Sequence, residues 1–351
     1  AIGNNAMNST AGNPQTGTVA IGHNALTALT SGAGNVAIGS GSLLTLTDGA
    51  GNTAVGHEAL TDSTAELNTA LGFEAGKANT TGDNNTYIGY RAGKGASGVE
   101  SSNVAVGYVA LTALTEGDSN TAIGAECAVA LAGGSNNTIV GFQAGDAMTN
   151  NNDNTIVGKS ALSAANSGEN YNTIIGMNAG LSINDSGADN NVIIGYNAGI
   201  GGEGGMDANI IIGSDALNST ADTATSYCVS IGVESLTAAN NDNNNGTVAI
   251  GYQSMYTATN TSLNNAIGYQ SLKFLTTGDG NTAFGNQSGR GSGAATSNFE
   301  RNTLVGYRTG FELDTGTDNV CIGYNAGFLF GTNSNNVAIG SYAMDALVDG
   351  S

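Results

Sequence analysis

Tryptophan is missing from this chain, proline occurs once, and only 8 of its 351 residues are Lys or Arg. Set against 28 Asp plus Glu, for a net charge of −20, so few cations exclude a nucleic-acid binder, because phosphate affinity rests on clustered positive charge. The same deficit argues against docking on an anionic membrane surface. No apolar run reaches ~18 residues, which argues against a membrane-spanning helix and membrane insertion. No basic and apolar leader opens the sequence. Cys127, Cys228 and Cys321 lie far apart with no CxxC between them, a spacing that supports neither a zinc site nor a disulfide framework.

What the chain does have is glycine, 55 residues of it, and 40% apolar residues, which separates it from disordered polar tracts. The glycines are not scattered. Taking the last residue of each "AIG"-like triplet as an anchor gives a series from Gly3 through Gly22, Gly39 and Gly56 to Gly323 and Gly340, spaced 16 to 21 residues apart and most often 17. The series covers the whole chain without a linker, so residues 1–351 read as one continuous array. Both ends fall inside a repeat and read as cuts from a longer array. Positions within the repeat are counted from the anchor. Position −1 is Ile or Val almost throughout, −4 is Asn, and +3 is always small. Position +4 is Leu or Met in one kind of repeat and Gly in another, giving "xxAL" and "xxAG" versions.

"NTAIG" and "NVAIG" are short, β-branched and alternating, and turn-forming clusters such as "TDGAGN" and "TTGDNN" bound them. Strands this short bury a core only by stacking, one coil upon the next. The expected fold is therefore an all-β parallel β-solenoid of about 20 coils, roughly 95 Å long at ~4.8 Å per coil. Its ladders would be Asn at −4 (Asn52, Asn336), bonding backbone and the Asn of the next coil, and an interior spine of Ile at −1 (Ile38, Ile123, Ile339). Anchor Gly (Gly56, Gly124, Gly340) would supply positive φ or close approach, and small +3 residues such as Ala59 would fill a tight place. On this reading Ala at −2 lies on the opposite strand face and invites a neighbouring chain. So thin a coil gains from assembly, and a parallel homotrimer is expected.

"NVAIGSGSL", "NTAVGHEAL" and "NTAIGAECA" resemble the head repeats of trimeric autotransporter adhesins. "VAIGHNALTALTSGAGN" and "NAIGYQSLKFLTTGDGN" resemble, more closely still, the repeat arrays of bacteriophage tail fibres. The resemblance covers all the repeats. It implies a left-handed parallel β-roll with three chains side by side, an extracellular place on a virion tail or cell surface, and a part in host attachment to a surface glycan or protein. The expected function is a non-enzymatic shaft segment of a phage tail fibre. The alternatives are a bacterial adhesin head, a structural or ice-binding rod, and, more weakly, a polysaccharide depolymerase.

Several short motifs resemble sites of chemistry, and each has a plainer reading. "GIGGEG" (Gly199 to Gly204) fits GxGxxG but runs into a repeat strand where a dinucleotide site needs a helix. "GGEGGMD" (Gly201 to Asp207) misses a calcium nonapeptide by one residue, and "VGKS" lacks the first P-loop glycine. Glu58 and Glu74 share a repeat position in adjacent coils and could pair like glycosidase carboxylates, but a polar surface column is the simpler reading. Asp83, Asp118, Asp189 and Asp279 each lie six before an anchor; Asx turns account for them, with calcium as the only candidate cofactor. The cysteines occupy ladder positions as small free thiols. Thr at −3, as in Thr53 and Thr121, would order water if outward, but sharing a face with the Ile spine it is expected inside. Two groups are candidate receptor contacts. One is the aromatic column at +1, including Tyr90, Tyr108, Tyr252 and Tyr269. The other is Arg290, Phe299 and Arg301 in the longest loop, where Arg beside an aromatic suits an acidic or planar sugar.

Overall fold

In the computed structural model the described residues are all but 10–14, 96–98, 202–204, 219–224, 240–243, 294–296 and 347–351. They form two compact units, Ala1–Tyr171 and Asn172–Ser351. The first holds β1 (Val19–Ile21), β2 (Val36–Ile38), β3 (Thr53–Val55), β4 (Thr69–Leu71), β5 (Thr86–Ile88), β6 (Val104–Val106), β7 (Thr121–Ile123), β8 (Thr138–Val140) and β9 (Thr155–Val157). The second holds β10 (Thr173–Ile175), β11 (Val192–Ile194), β12 (Ile210–Ile212), β13 (Val229–Ile231), β14 (Val248–Ile250), β15 (Asn265–Ile267), β16 (Thr282–Phe284), β17 (Thr303–Val305), β18 (Val320–Ile322) and β19 (Val337–Ile339). Ile2 adds an isolated parallel bridge to Ile21. The described residues contain no helix, so none is long and apolar enough to cross a membrane.

Within each unit every strand pairs in parallel with the next in sequence, position upon position: Val36 with Thr53, Ala37 with Ala54, Ile38 with Val55. The rest of each coil is the crossover that a parallel pair requires, made of turns in place of a helix. The result is a parallel β-solenoid with one three-residue strand per coil.

The turns depend on left-handed backbone at fixed places. In the coil of Gly56, Glu58 at +2, Leu60 at +4 and Leu67 at −5 of the next anchor have φ of 55°, 49° and 58°. For leucine this conformation costs about 1–2 kcal/mol. Leu60 is fully buried, which returns about 1.5–3 kcal/mol, so the strain is tolerated where the side chain fills the core. The anchors lie further out, at φ between 127° and 146°. A Cβ on Gly56 would meet the Gly72 carbonyl oxygen at 2.2 Å, so coils can stack at the anchor only on glycine.

The Asn ladder runs one way along each unit. Asn52 donates its backbone N–H to Asn35 Oδ1 (2.9 Å) and its Nδ2 to the Ala65 carbonyl (2.8 Å), while its own Oδ1 accepts from Asn68 N (2.9 Å). Asn336 repeats the first contact on Asn319 (3.0 Å). Ala59 at +3 is fully buried, as expected of a tight place.

The strand faces are the reverse of the expectation. The core is built from −2, where Ala37, Ala54 and Ala122 are buried; Ile38, Ile123 and Ile339 at −1 point outward and are 37%, 40% and 65% exposed. Thr at −3 lies outward with them, half-buried or exposed. The interior at the strand is already taken by +4 and +7 residues such as Leu43 and Leu46, which leaves room only for a small −2 side chain.

That constraint also accounts for the two repeat versions. Coils with Ala at −2 mostly carry Leu or Met at +4, as in Ala37 with Leu43, Ala105 with Leu111 and Ala249 with Met255; Ala122 faces Ala128. Where −2 is large, +4 tends to be Gly: Tyr87 with Gly93, Ile139 with Gly145, Ile193 with Gly199, Leu304 with Gly310. A Cβ on Gly93 would meet Tyr87 Cδ1 at 2.1 Å. Ala70 with Gly76 and Ala283 with Gly289 are small at both places, and each lies beside a large −2 residue of the next strand, Tyr87 and Leu304. Those side chains lean back into the space: a Cβ on Gly289 would meet Leu304 Cδ1 at 2.6 Å.

Candidate functional site

Two surface features are built from the repeat. The first is the outward strand face. None of the nineteen described strands carries a charged residue, so positions −3 and −1 form an uncharged, largely aliphatic strip in each unit. Just past the anchor, +1 adds exposed rings. His57, Phe73, Tyr90 and Tyr108 stack coil upon coil with centroids 5.1, 5.4 and 5.3 Å apart. Tyr252 stacks on Tyr269 and Tyr307 on Tyr324, at 5.4 and 5.1 Å. The column is therefore a surface feature in both units, and the four tyrosines singled out from the sequence all belong to it.

The second feature is a polar band formed by +2 and +5, which differs between the units. In the first, Glu58 and Glu74 occupy +2 of adjacent coils, and Lys77 at +5 bridges them at 2.5 and 3.2 Å. Arg91 and Lys94 also hold Glu74, at 2.8 and 2.7 Å. These cations, Lys94 foremost, outweigh burial and bring the Glu74 carboxyl down to about 2. A carboxylate held in this way is a structural anion, and the pair lacks the proton-sharing environment of a glycosidase dyad.

In the second unit the same +2 column reads Glu234, Gln253, Gln270, Gln287, Arg308, joined side chain to side chain. Gln253 donates to Glu234 (2.7 Å), Gln270 to Gln253 (3.0 Å), Gln287 to Gln270 (3.0 Å) and Arg308 to Gln287 (2.8 Å). Beside it, residues at +5 and +6 interleave cations with rings. Lys273 lies over Tyr256 and Phe274 at 5.7 and 5.1 Å, and Arg290 over Phe274 and Phe311 at 4.6 and 5.0 Å. Arg308 lies over Phe311 and Tyr307 at 5.0 and 5.2 Å.

The loop candidates separate. Phe299 is fully buried and its carbonyl accepts from Asn281 Nδ2 (2.9 Å), so its ring is core and offers no ligand surface. Arg301 forks onto Asp318 (2.8 and 2.9 Å) and reaches Glu300 (2.7 Å), which leaves it neutralised. Only Arg290 keeps an aromatic setting, and its rings are Phe274 and Phe311. Residues 294–296 of this loop, and residues 202–204 within "GIGGEG" and "GGEGGMD", lie outside the described residues.

The acidic residues at −6 act between coils more than within their own turns. Asp83 Oδ1 accepts from Glu66 N (2.7 Å), Asp118 from Ser101 N (2.6 Å) and Asp279 from Ser262 N (2.6 Å). Ser135 and Asn152 do the same work, accepting from Asp118 N (3.0 Å) and Ser135 N (2.9 Å). This second polar ladder was missed in the sequence because Asp, Ser and Asn alternate there; their shared property is a short side-chain oxygen. Among the described residues no three His, Cys, Asp or Glu side chains gather as a metal site.

The three thiols are free and buried. Burial pushes Cys127 and Cys321 up to about 12 and Cys228 to about 11, which keeps them protonated and unreactive. Glu100 at −7 is a buried acid. It is 3% exposed, its Oε2 has no hydrogen-bond partner, and burial with a contribution from Asp118 pushes it to about 7. Neither family models nor curated proteins give a match to the chain.

Proposed function

We propose that this chain is a shaft segment of an extracellular attachment fibre, a phage tail fibre in the first instance, assembled as a parallel homotrimer through its outward strand face. The observation that carries the reading is the charge-free strip of −3 and −1 side chains on a chain of net charge −20. Copies of so acidic a chain repel one another, and this face is where they can meet without opposing charge. Ile21, Leu71, Ile123 and Phe284 are 38–54% exposed along it, area that a second copy would remove from water. The bonded carboxylates Glu58 and Glu74 and the protonated thiols support a structural role over an enzymatic one. A bacterial adhesin head would use the same face in the same way.

Light scattering on the purified chain is the test, with a mass three times 34.7 kDa expected. Ile38→Asp with Ile123→Asp should give monomers that keep a β circular-dichroism spectrum. A wild-type monomer at micromolar concentration sinks the trimer. One competing reading has its own observation: Thr53, Thr69, Thr86, Thr121, Thr138 and Thr155 stand on the outward face, a regular column of the kind that orders water in ice-binding rods. The two readings use one surface for different ends. Thermal hysteresis from a monomeric chain selects the ice-binding rod.

A further inference from the structure

The second unit's polar band gathers cations that no carboxylate bonds. Lys77, Arg91, Lys94 and Arg301 are each bonded to carboxylates, whereas among the described residues Lys273, Arg290 and Arg308 form no ion pair; Lys159 also forms none, but it stands singly over Phe142 in the first unit. Three of the chain's eight basic residues are thus gathered on successive coils, ~4.8 Å apart in rise, with no carboxylate bonded to them; Glu234 and Glu312 act on Lys273 and Arg290 only through space. Their partners are π faces and amide oxygens: Lys273 donates to Gln253 Oε1 (2.7 Å) and Arg308 to Gln287 Oε1 (2.8 Å). Arg290 lies between two rings with its Nε buried and without a hydrogen-bond partner, so the donors of this guanidinium are unmet, and a planar carboxylate suits paired guanidinium N–H groups. All three side chains are half-buried, so the low dielectric around them strengthens attraction for an anion without sealing it out.

The flanks of the band define what the anion would be attached to. Arg308 joins the band to the exposed ring of Tyr307, and Tyr252 and Tyr269 are exposed in the same +1 column. Because the tyrosines stack face on face, the parts they leave exposed are ring edges and hydroxyls, and half-buried Gln287 keeps a second amide N–H beyond the one given to Gln270; both suit sugar hydroxyls. Charge, phenol hydroxyls and an amide together are the recognition chemistry of a sugar acid, and a bare phosphate would leave the hydroxyls unused.

We infer that Lys273, Arg290 and Arg308, with the Gln287 amide and the neighbouring tyrosines, form a binding site for an acidic polysaccharide whose carboxylated sugars lie along successive coils. The inference gives the attachment reading a ligand class. It is built within one chain, so its failure and that of the trimer are separate: scattering reports assembly, and titration reports binding.

The experiment is calorimetric titration of the whole chain with oligogalacturonate, a heparin-derived hexasaccharide and neutral maltohexaose at low and high salt. Oligogalacturonate should bind, more weakly as salt rises, and maltohexaose should not. The triple variant Lys273→Gln, Arg290→Gln, Arg308→Gln should lose at least tenfold in affinity. The control variant Lys77→Gln, Arg91→Gln, Lys94→Gln removes equal charge elsewhere and should bind like the parent. Melting curves on both variants check that coils remain folded, and a folded single variant Arg308→Gln with a smaller loss secures the result if the triple variant melts early. Binding confined to the sulfated probe, equal loss in the control, unchanged affinity in the folded triple variant, or no binding of oligogalacturonate each overturns the assignment.

Discussion

The polar bands of the two units occupy the same two repeat positions and handle charge in opposite ways. Around Glu74, the acids at +2 and the bases at +5 and +2 (Lys77, Lys94 and Arg91) close on one another, so the network has little left to offer a third party. Around Arg290, +2 amides replace the acids and aromatic rings separate the bases, so the cations are stabilised without being neutralised. The backbone is the same in both places. Glu replaced by Gln at +2, together with rings between the bases, separates an internal brace from a surface whose cations form no ion pair.

Breaking the closed network should have the largest effect. Glu74→Gln leaves three cations crowded with no common anion and should destabilise the chain by about 3 kcal/mol at pH 7, read from urea unfolding. The sign follows from a depressed carboxyl. Its contribution is complete above the ordinary value of 4.5 and is lost as pH falls toward about 2, so variant and parent should converge in acid. An unchanged gap at pH 2 and pH 7 would assign the effect to packing.

Glu100, in contrast to Glu74, forms no ion pair among the described residues. Its raised value means that the folded chain holds a proton that the unfolded chain releases, so stability falls as pH climbs from 4.5 through about 7. Glu100→Gln should melt higher than the parent at pH 8, by roughly 1–2 kcal/mol, and equally at pH 4. A variant less stable at pH 8 contradicts this account.

On the open side the expected effects are smaller. Arg290→Met keeps the bulk between Phe274 and Phe311 and removes the cation, for a loss of about 1 kcal/mol in chemical unfolding. A change indistinguishable from zero would make the ring sandwich a packing feature only. The smallest change is the conversion of one band toward the other. Gln270→Glu, set among Lys273, Arg290 and Arg308, should raise stability by no more than about 1 kcal/mol while weakening oligogalacturonate binding. Stronger binding after this substitution would contradict the charge argument.

Much of the fold was legible because a solenoid repeats each spatial relation many times. Asn52 and Gly56 recur at fixed spacing since one must bond the coil before and after it and the other must let two backbones touch. The inward face was misread because period-two alternation shows which residues share a face and is silent on which face is inside. Ile38 was given the interior for its size, yet in so thin a coil the interior belongs to Leu43 and Leu46, and Ala37 fits between them. The signal was present in the exchange of Tyr87 with Gly93 against Ala37 with Leu43, since only two residues that share a space trade volume. The candidate site was partly legible: Arg290 stood out as a base near aromatics, but its rings, Phe274 and Phe311, come from neighbouring coils and become adjacent only when the coils stack.

Because the Asn ladder and the strand hydrogen bonds run from coil to coil, they lie along the direction in which a tethered unit would be pulled. Tension then opens one coil at a time, as in a zipper, where a sandwich loaded in shear would hold until it failed at once. Each 17-residue coil released would lengthen the chain by up to about 56–61 Å. A segment of this kind would yield by small, nearly equal steps and re-form as the load eased, a spring with many weak links in place of one strong one.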